Sequence, residues 1–302
     1  MILILTRQKR DVTCNRVISE LNQLGANFRL FNVEELLEVN FNILEEIEWL
    51  SQINVVWYNR FSPLINGDNY QVNAFLTAEF NVIKEFFLEK IPKHAIWFPY
   101  FKNIRLNKLS TLRLAKEVGL NIPETHILSS LTELEIISKN KQFVSKAISE
   151  TQDFLIEGRN FSMYAETISS ETISDNLPNE FYPSIIQERI NAHFEIRSYY
   201  LDGEFYSSGI CFESTEIDFR KFYEAESFKL FPVNLPENVK YKLKNLMERL
   251  GLTTGSIDLM YDVNDKYYFL EVNPVGQFSM ITTACGSNLE KKLALTLYSY
   301  DN

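Results

Sequence analysis

The sequence predicts an α/β protein of mixed (α+β) type, an open parallel sheet followed by antiparallel hairpins. Two patterns carry that expectation. From residue 1 to about residue 105, short apolar runs alternate with amphipathic helical stretches, as in a parallel sheet covered by helices. In the last third come two hairpin signatures, one turned at Asp202-Gly203 and one at Asn264-Asp265. At 302 residues the chain is long enough for two or three domains and a large core.

Composition excludes several classes. With 45% hydrophobic and 23% charged residues, the chain is globular. A net charge of −10 argues against a nucleic-acid backbone as the main partner. The opening run Met1–Leu5 is too short for a signal peptide or a membrane span, so no membrane attachment is expected. Cys14, Cys211 and Cys285 are far apart and form no CxxC pair, which points to reduced thiols and a cytoplasmic location. The ten glycines form neither a GxGxxG nor a GxxxxGK[ST] motif, so a Rossmann dinucleotide site and a P-loop are unsupported.

In chain order, Ile2–Leu5 reads as a strand. Asp11 caps a helix that runs to Leu24 and is closed by Gly25. Phe28–Phe31, Val55–Tyr58 and Ala95–Phe98 are further strands, with a helix over Asn69–Glu89. Arg7, Tyr58 and Arg60 follow strand C-terminal ends, where such sheets bind ligands; ordinary loop polarity is the alternative. Asn107-Lys108 precedes a helix over Leu109–Val118, closed by Gly119. Thr132–Lys139 is a short helix and Phe143–Ile148 a strand. Lys146 shares a strand face with Val144 and Ile148, so it either snorkels or meets an anion. Ser149–Arg159 is polar and reads as a flap. Strands follow at Met163–Ile168 and Ser184–Ile190.

In the hairpin over Phe194–Cys211, Glu195, Arg197 and Tyr199 share a face. Glu195 and Arg197 are either an ion pair or, at Arg197, a guanidinium fork for phosphate. Phe212–Leu235 reads as a long irregular loop, functional or disordered. Pro236–Leu250 and Asn288–Tyr298 are helices.

The stretch Gly255–Gln277 is the most informative. A two-residue turn at Asn264-Asp265 sets Asp258 opposite Glu271, with Asn273 on the same face. Met260 and Phe269 share that face; Ile257, Leu259, Tyr261, Tyr268, Leu270 and Val272 take the other. Opposed carboxylates repel, and a cation relieves the repulsion. Two carboxylates and an amide oxygen suit Mg²⁺ held with phosphates; a solvated polar face is the alternative.

These pieces, taken together, resemble the ATP-grasp ligases, and among them the graspetide synthetases, the peptide maturases of "grasp-with-spasm" systems. They are Asn107-Lys108 with LAKEVGLNIPET, VSKAI around Lys146, IIQERI at Ile185–Ile190 and FEIR ending at Arg197. DFR at Asp218–Arg220, IDLMYD and FLEVNPVGQF complete the set. The resemblance spans about residues 100–300, and the N-terminal third matches in architecture alone. It implies an ATP-grasp fold with an N-terminal open-sheet pre-ATP-grasp domain, divided as 1–104, 105–190 and 191–302. It implies that Lys108 and Lys146 contact ATP phosphates. The strand end Gln187, Glu188, Arg189 and Ile190 would read adenine through its backbone. Glu195 would hold ribose or order the site, and Arg197 would stabilise the transferring phosphoryl group. Asp258, Glu271 and Asn273 would bind Mg²⁺, while Asp218 and Arg220 would meet a peptide substrate. A glycine-rich phosphate loop is common in such enzymes, but here the segment after Lys146 offers only Gly158.

The implied activity is ATP-dependent macrocyclisation of a ribosomally made precursor peptide, with Asp or Glu side chains joined to Ser, Thr or Lys. A ligase adding amino acids to a protein tail or small-molecule amine, and a non-catalytic ATP-binding protein, are the alternatives. A homodimer is compatible with the sequence. His94, His126 and His193 show neither triad nor metal-ligand spacing.

Overall fold

The computed structural model describes residues 1–7, 11–38, 40–63, 65, 67, 69–139, 141–149, 153–156, 159–162, 165–168, 173, 178–212 and 228–302. Strands β1 (Ile2–Thr6), β2 (Phe28–Asn32), β3 (Val55–Asn59) and β4 (Ile96–Phe98) form a parallel sheet ordered β2-β1-β3-β4. Helix α1 (Val12–Gln23) starts at Asp11, whose carboxylate accepts from the Cys14 N–H, and Gly25 leaves it in the left-handed region at φ 66°. Helix α2 (Val33–Glu38) is short and was not expected; helix α3 (Tyr70–Glu89) is capped by Asn69. Leu3 and Leu5 face the core that holds Phe80, Phe87 and Leu88 of α3, while Ile2 and Ile4 face Cys14, Val17 and Leu21 of α1. The two helices therefore cover opposite faces, and the order reverses between β1 and β3.

Helix α4 (Lys108–Glu117) follows, then β5 (Thr125–Ser130), helix α5 (Leu131–Ser138) and β6 (Phe143–Lys146). Strands β7 (Asp153–Ile156) and β8 (Arg159–Ser162) pair as an antiparallel ribbon where a polar flap was expected. Strands β9 (Glu166–Ile168) and β10 (Glu180–Glu188) complete an antiparallel sheet ordered β5-β10-β6-β9. Strand β10 ends two residues earlier than the sequence suggests, so Arg189 and Ile190 lie in the connection to the next sheet. This lobe has its own small core of Leu134, Phe143 and Ile186. Both its ends are pinned to one hairpin: the Asn121 carbonyl accepts from the Phe269 N–H at 2.8 Å, and the Asn191 carbonyl from the Val263 N–H at 3.1 Å.

The third sheet is antiparallel, ordered β13-β12-β11-β14-β15. Its strands are β11 (Ala192–Leu201), β12 (Glu204–Phe212), β13 (Phe228–Val233), β14 (Thr254–Asp262) and β15 (Tyr267–Asn273). Asp202 and Gly203 turn β11 into β12 with φ of 49° and 95°, as the primed hairpin turn requires. Helix α6 (Glu237–Arg249) buries Val239, Leu243, Leu246 and Met247 against this sheet, with Leu112 and Ala115 of α4 in the same core. Helices α7 (Ser279–Cys285) and α8 (Leu289–Asp301) cross back: Ile281, Leu289, Leu293 and Leu297 share a core with Ile2 and Ile4 of β1. Among the described residues no helix is long and apolar enough to cross a membrane.

Two expectations are corrected here. The stretch 212–235 is not wholly loop: β13 pairs with β12 along Phe228–Val233, and Pro232 is tolerated because the strand lies at the sheet edge. The β14–β15 turn has three residues, not two. Asp262 and Lys266 close it, with Asp265 at φ 61° and the Asp262 carboxylate accepting the Asn264 and Lys266 N–H groups.

Candidate active site

The longer turn shifts the register by one residue from Tyr261↔Tyr267 through Leu259↔Phe269. A bulge then skips Leu270, and Asp258 falls opposite Glu271 after all. The two deviations cancel at the carboxylates but not nearer the turn. Phe269 belongs to the core, fully buried, and Tyr268 pairs with Met260 on the carboxylate face; the sequence had placed these two aromatics the other way round.

One row of cross-strand neighbours then runs Ser208, Arg197, Asp258, Glu271 across the sheet. Cross-strand neighbours project to the same side, so three charged groups meet on one face. Arg197 Nη1 donates to both Asp258 oxygens, at 2.6 Å to Oδ1 and 2.5 Å to Oδ2. Lys108 joins from outside the sheet. Asn107 caps α4 by accepting the Ser110 N–H at 3.0 Å, which sets Lys108 as the first helical residue, with Nζ 3.0 Å from Glu271 Oε2. Arg197 therefore finds its acidic partner in Asp258 on β14, a contact not foreseen when Glu195 was the candidate.

The two carboxylates are driven apart electrostatically. Burial pushes Asp258 above the ordinary carboxylate range; Arg197 opposes this and Glu271 adds to it. Burial pushes Glu271 upward too, but Lys108, with Lys146 and Arg197 behind it, outweighs burial and holds Glu271 below its ordinary value. Lys146 therefore acts on this face across the gap between sheets, although its own strand pairs with Ile185 of β10.

The other expected residues fall around the row. Asn273 lies two pairs along, opposite Ser256; its side chain is exposed and Oδ1 accepts the Val275 N–H at 3.1 Å. Glu195 sits two residues from Arg197 on the same face, opposite Met260. Gln187 is buried and donates to Thr125 Oγ1 at 2.9 Å. The Glu188 and Arg189 N–H groups are taken by the carbonyls of Glu124 and Gln142, each at 2.8 Å, whereas the Ile190 N–H makes no hydrogen bond among the described residues. Asp218 and Arg220 lie outside the described residues. His126 contacts Glu124 and His193 lies against the Tyr261 ring, away from the row.

Sequence reasoning missed the support beneath the hairpin. The loop Pro274–Gln277 folds back so that Ser256 Oγ donates to the Gln277 carbonyl at 3.0 Å. Gly276 is required there: a Cβ would lie 2.3 Å from Ser256 Cβ. With its amide turned so that the oxygen faces the guanidinium, the orientation that the donors of Arg60 require, Gln277 accepts from both terminal nitrogens of Arg60, Nη1 at 2.9 Å. The only signal for this was the NPVGQ string itself, with its Pro and Gly.

The donor set suits Mg²⁺: two carboxylates and an amide oxygen are hard ligands. Among the described residues no three His, Cys, Asp or Glu side chains converge, so any metal relies on Asn273 and on oxygens from a bound phosphate.

No protein-family model matches the chain, and no curated protein matches it significantly. Solved structures match over its whole length. A RiPP-associated ATP-grasp ligase from Chryseobacterium gregarium, in complex with ADP and a leader and core peptide, has a TM-score of 0.84 at 21% identity, covering 100% of this chain and 98% of that one. The macrocyclase MdnC of Microcystis aeruginosa, bound with precursor peptide MdnA, has a TM-score of 0.82 at 18% identity, covering 99% and 100%. The ATP-grasp ligase PsnB, complexed with minimal precursor, Mg and ADP, has a TM-score of 0.77 at 14% identity, covering 100% and 97%. Full-length matches at TM-scores of 0.77, 0.82 and 0.84 identify this protein as one with the ATP-grasp fold.

Proposed function

We propose that the protein is an ATP-dependent peptide macrocyclase that activates Asp or Glu side chains of a precursor peptide and joins them to Ser, Thr or Lys side chains. The observation that carries this is the row Arg197–Asp258–Glu271, closed by Lys108 and faced by Lys146. A non-catalytic nucleotide-binding protein has no need of an arginine beside the metal carboxylates. Similarity to enzymes solved with precursor peptides favours a peptide as the carboxylate donor.

In this reading a substrate carboxylate oxygen attacks the γ-phosphorus of ATP, the bond to the bridging oxygen breaks, and ADP leaves. The acyl phosphate is then attacked at carbon by a hydroxyl or amine of the same peptide. Phosphate leaves and the nucleophile's proton passes to solvent. Asp258, Glu271 and Asn273 would hold Mg²⁺, which when bound neutralises phosphate charge. Arg197 would meet the equatorial oxygens of the phosphoryl group in transit, and Lys108 and Lys146 the phosphates of the nucleotide. The Ile190 N–H, two residues past β10 and without a hydrogen bond among the described residues, is the donor best placed to read adenine. The chain's main task is positioning, because no side-chain nucleophile is required.

The test is product mass. A peptide encoded beside this gene and carrying both acidic and Ser, Thr or Lys residues is incubated with the protein, ATP and Mg²⁺. It should lose whole multiples of water with no free amino acid present. Mild base should reverse links to Ser or Thr and spare links to Lys. A peptide that stays unchanged until free glutamate is added, then gains its residue mass, replaces this reading with a tail ligase.

A further inference from the structure

The reversal of strand order between β1 and β3 leaves a crevice at their carboxyl ends, the place where open α/β sheets bind ligands. Two arginines sit there. Thr6 and Asn59 are register partners that end the two strands, so Arg7 and Arg60 are the next residue on each. Both are half-buried. Neither meets a carboxylate among the described residues. Arg7 donates to the carbonyl and the hydroxyl of Ser62, both at 3.1 Å, and Arg60 donates to the Gln277 amide oxygen. Two arginines at neighbouring register positions thus meet only neutral acceptors among the described residues, in a protein whose net charge is −10.

Arg60 is also strained. Its φ of 56° is in the left-handed region, uncommon for a residue with a Cβ and found where function over-determines the backbone. The conformation is held by a tight knot: the Ser62 N–H donates to the Arg60 carbonyl at 2.9 Å, and Arg7 grips the same Ser62. The result aims Arg60 away from its own sheet and toward the loop that follows Asn273. A small cleft lies at this junction, lined by Tyr58, Asn59, Pro99, Pro274 and Gly276. Through Gln277, whose carbonyl also takes the Ser256 hydroxyl, Arg60 abuts the hairpin carrying Asp258 and Glu271.

We propose that Arg7 and Arg60 form a carboxylate subsite that receives the acidic side chain to be activated and sets it against the phosphoryl group. This rests on the macrocyclase reading and names the residues that hold its acidic substrate. Arg60 binds the carboxylate by exchanging its neutral partner, Gln277, for a charged one. Arg7 adds the second charge and fixes the backbone of Ser62 that shapes Arg60. A neutral amide offers neither charge nor two equivalent acceptor oxygens, so glutamine in place of glutamate is rejected.

The experiment reads binding, not turnover. The probe is N-acetyl-L-glutamic acid α-amide, labelled with ¹³C at its side-chain carboxyl and titrated by NMR into the full chain loaded with ADP and Mg²⁺. The wild type should broaden the carboxylate signal, and the glutamine counterpart should not compete. Arg60→Gln and Arg7→Gln should each weaken binding at least tenfold, with melting curves showing that both are folded; should one fail to fold, the other decides. Gln277→Ala, which frees the Arg60 guanidinium, should leave probe affinity unchanged or raised. Four results overturn the proposal: no binding to wild type, equal competition by the glutamine counterpart, less than twofold change in the arginine variants, or a loss in Gln277→Ala equal to that in Arg60→Gln. The last would make Arg60 a tether for the loop. Probe binding without water loss from any peptide would sink the macrocyclase reading and leave the subsite, and the reverse pattern would do the opposite.

Discussion

Arg197 and Asp258 are cross-strand partners, and a single guanidinium nitrogen, Nη1, spans both carboxylate oxygens at 2.6 and 2.5 Å. The pair is therefore not the parallel two-pronged fork, and the other guanidinium nitrogen and Nε make no hydrogen bond among the described residues, which in the proposed function leaves them for a phosphate. Arg197→Lys keeps the charge but has one ammonium for both tasks. Oxyanion contacts of this kind are worth about 3–4 kcal/mol in the barrier. Turnover of the peptide by Arg197→Lys is expected to fall by roughly 10²–10³. A loss under about tenfold, some 1.4 kcal/mol, would mean that Arg197 serves only as the counter-ion of Asp258.

Asp258→Asn should separate stability from activity. The folded protein raises the Asp258 pKa above its ordinary 3.8, chiefly by burial. A raised carboxyl contributes stability below its unfolded pKa, and that contribution is lost as pH rises through the folded value. At neutral pH the ionised group is thus a burden on the metal-free fold. Asp258→Asn is expected to abolish turnover while its metal-free melting temperature at pH 7 stays level or rises. A clear drop in melting temperature would show that the ion pair with Arg197 outweighs burial.

Glu271→Gln should behave in the opposite way. Lys108, Lys146 and Arg197 together hold Glu271 below its ordinary 4.5 despite burial. A depressed carboxyl contributes stability that is full above the unfolded pKa and lost as pH falls through the folded one. The wild type should therefore melt above Glu271→Gln at pH 7, and the gap should close in acid, below pH 4.5. A gap that is constant across that range would assign the difference to packing and not to charge.

Gly276→Ala tests the support under the proposed Mg²⁺ ligands. The new methyl would sit 2.3 Å from Ser256 Cβ and 3.1 Å from the Asn273 carbonyl. Overpacking of this sort costs about 1–3 kcal/mol. The variant is expected to melt lower and to lose Mg²⁺-dependent ADP binding, measured by calorimetry. Adding Ser256→Gly should restore both. If the double variant is no better than the single one, the clash with Ser256 is not the cause.

How much of this was legible in the sequence depends on the residue. Asp11, Asn69, Asn107 and Asn288 cap helices where the sequence placed helix starts, because an N-cap is a local hydrogen bond between neighbours in the chain. The pairing of Asp258 with Glu271 was readable for a partly wrong reason: a longer turn and a skipped Leu270 compensate, and only the open end of the hairpin is blind to both. Phe269 and Tyr268 lie between those two features, and there the expected faces were exchanged. The contacts of Arg197 with Asp258 and of Arg60 with Gln277 join residues far apart in the chain, and no spacing rule reports such a meeting. Strand β13 was masked by Pro232, which local propensity penalises and an edge position permits.

The pinning of the middle lobe at Asn121 and Asn191 has a consequence for how the protein comes apart. Between those two bonds the lobe keeps its own small core, while the first and last sheets share theirs through α8. Such a segment is a separate cooperative unit, able to lose its order while the remainder stays native. Amide hydrogens of Ile185 and Ile186 should then exchange with solvent well before those of Leu3 and Ile4, in the absence of nucleotide. A nucleotide gripped by Lys146 on one side and Lys108 on the other would bring the two exchange times together, so the binding event would be written in the rate at which buried amides of the strand beside Lys146 meet water.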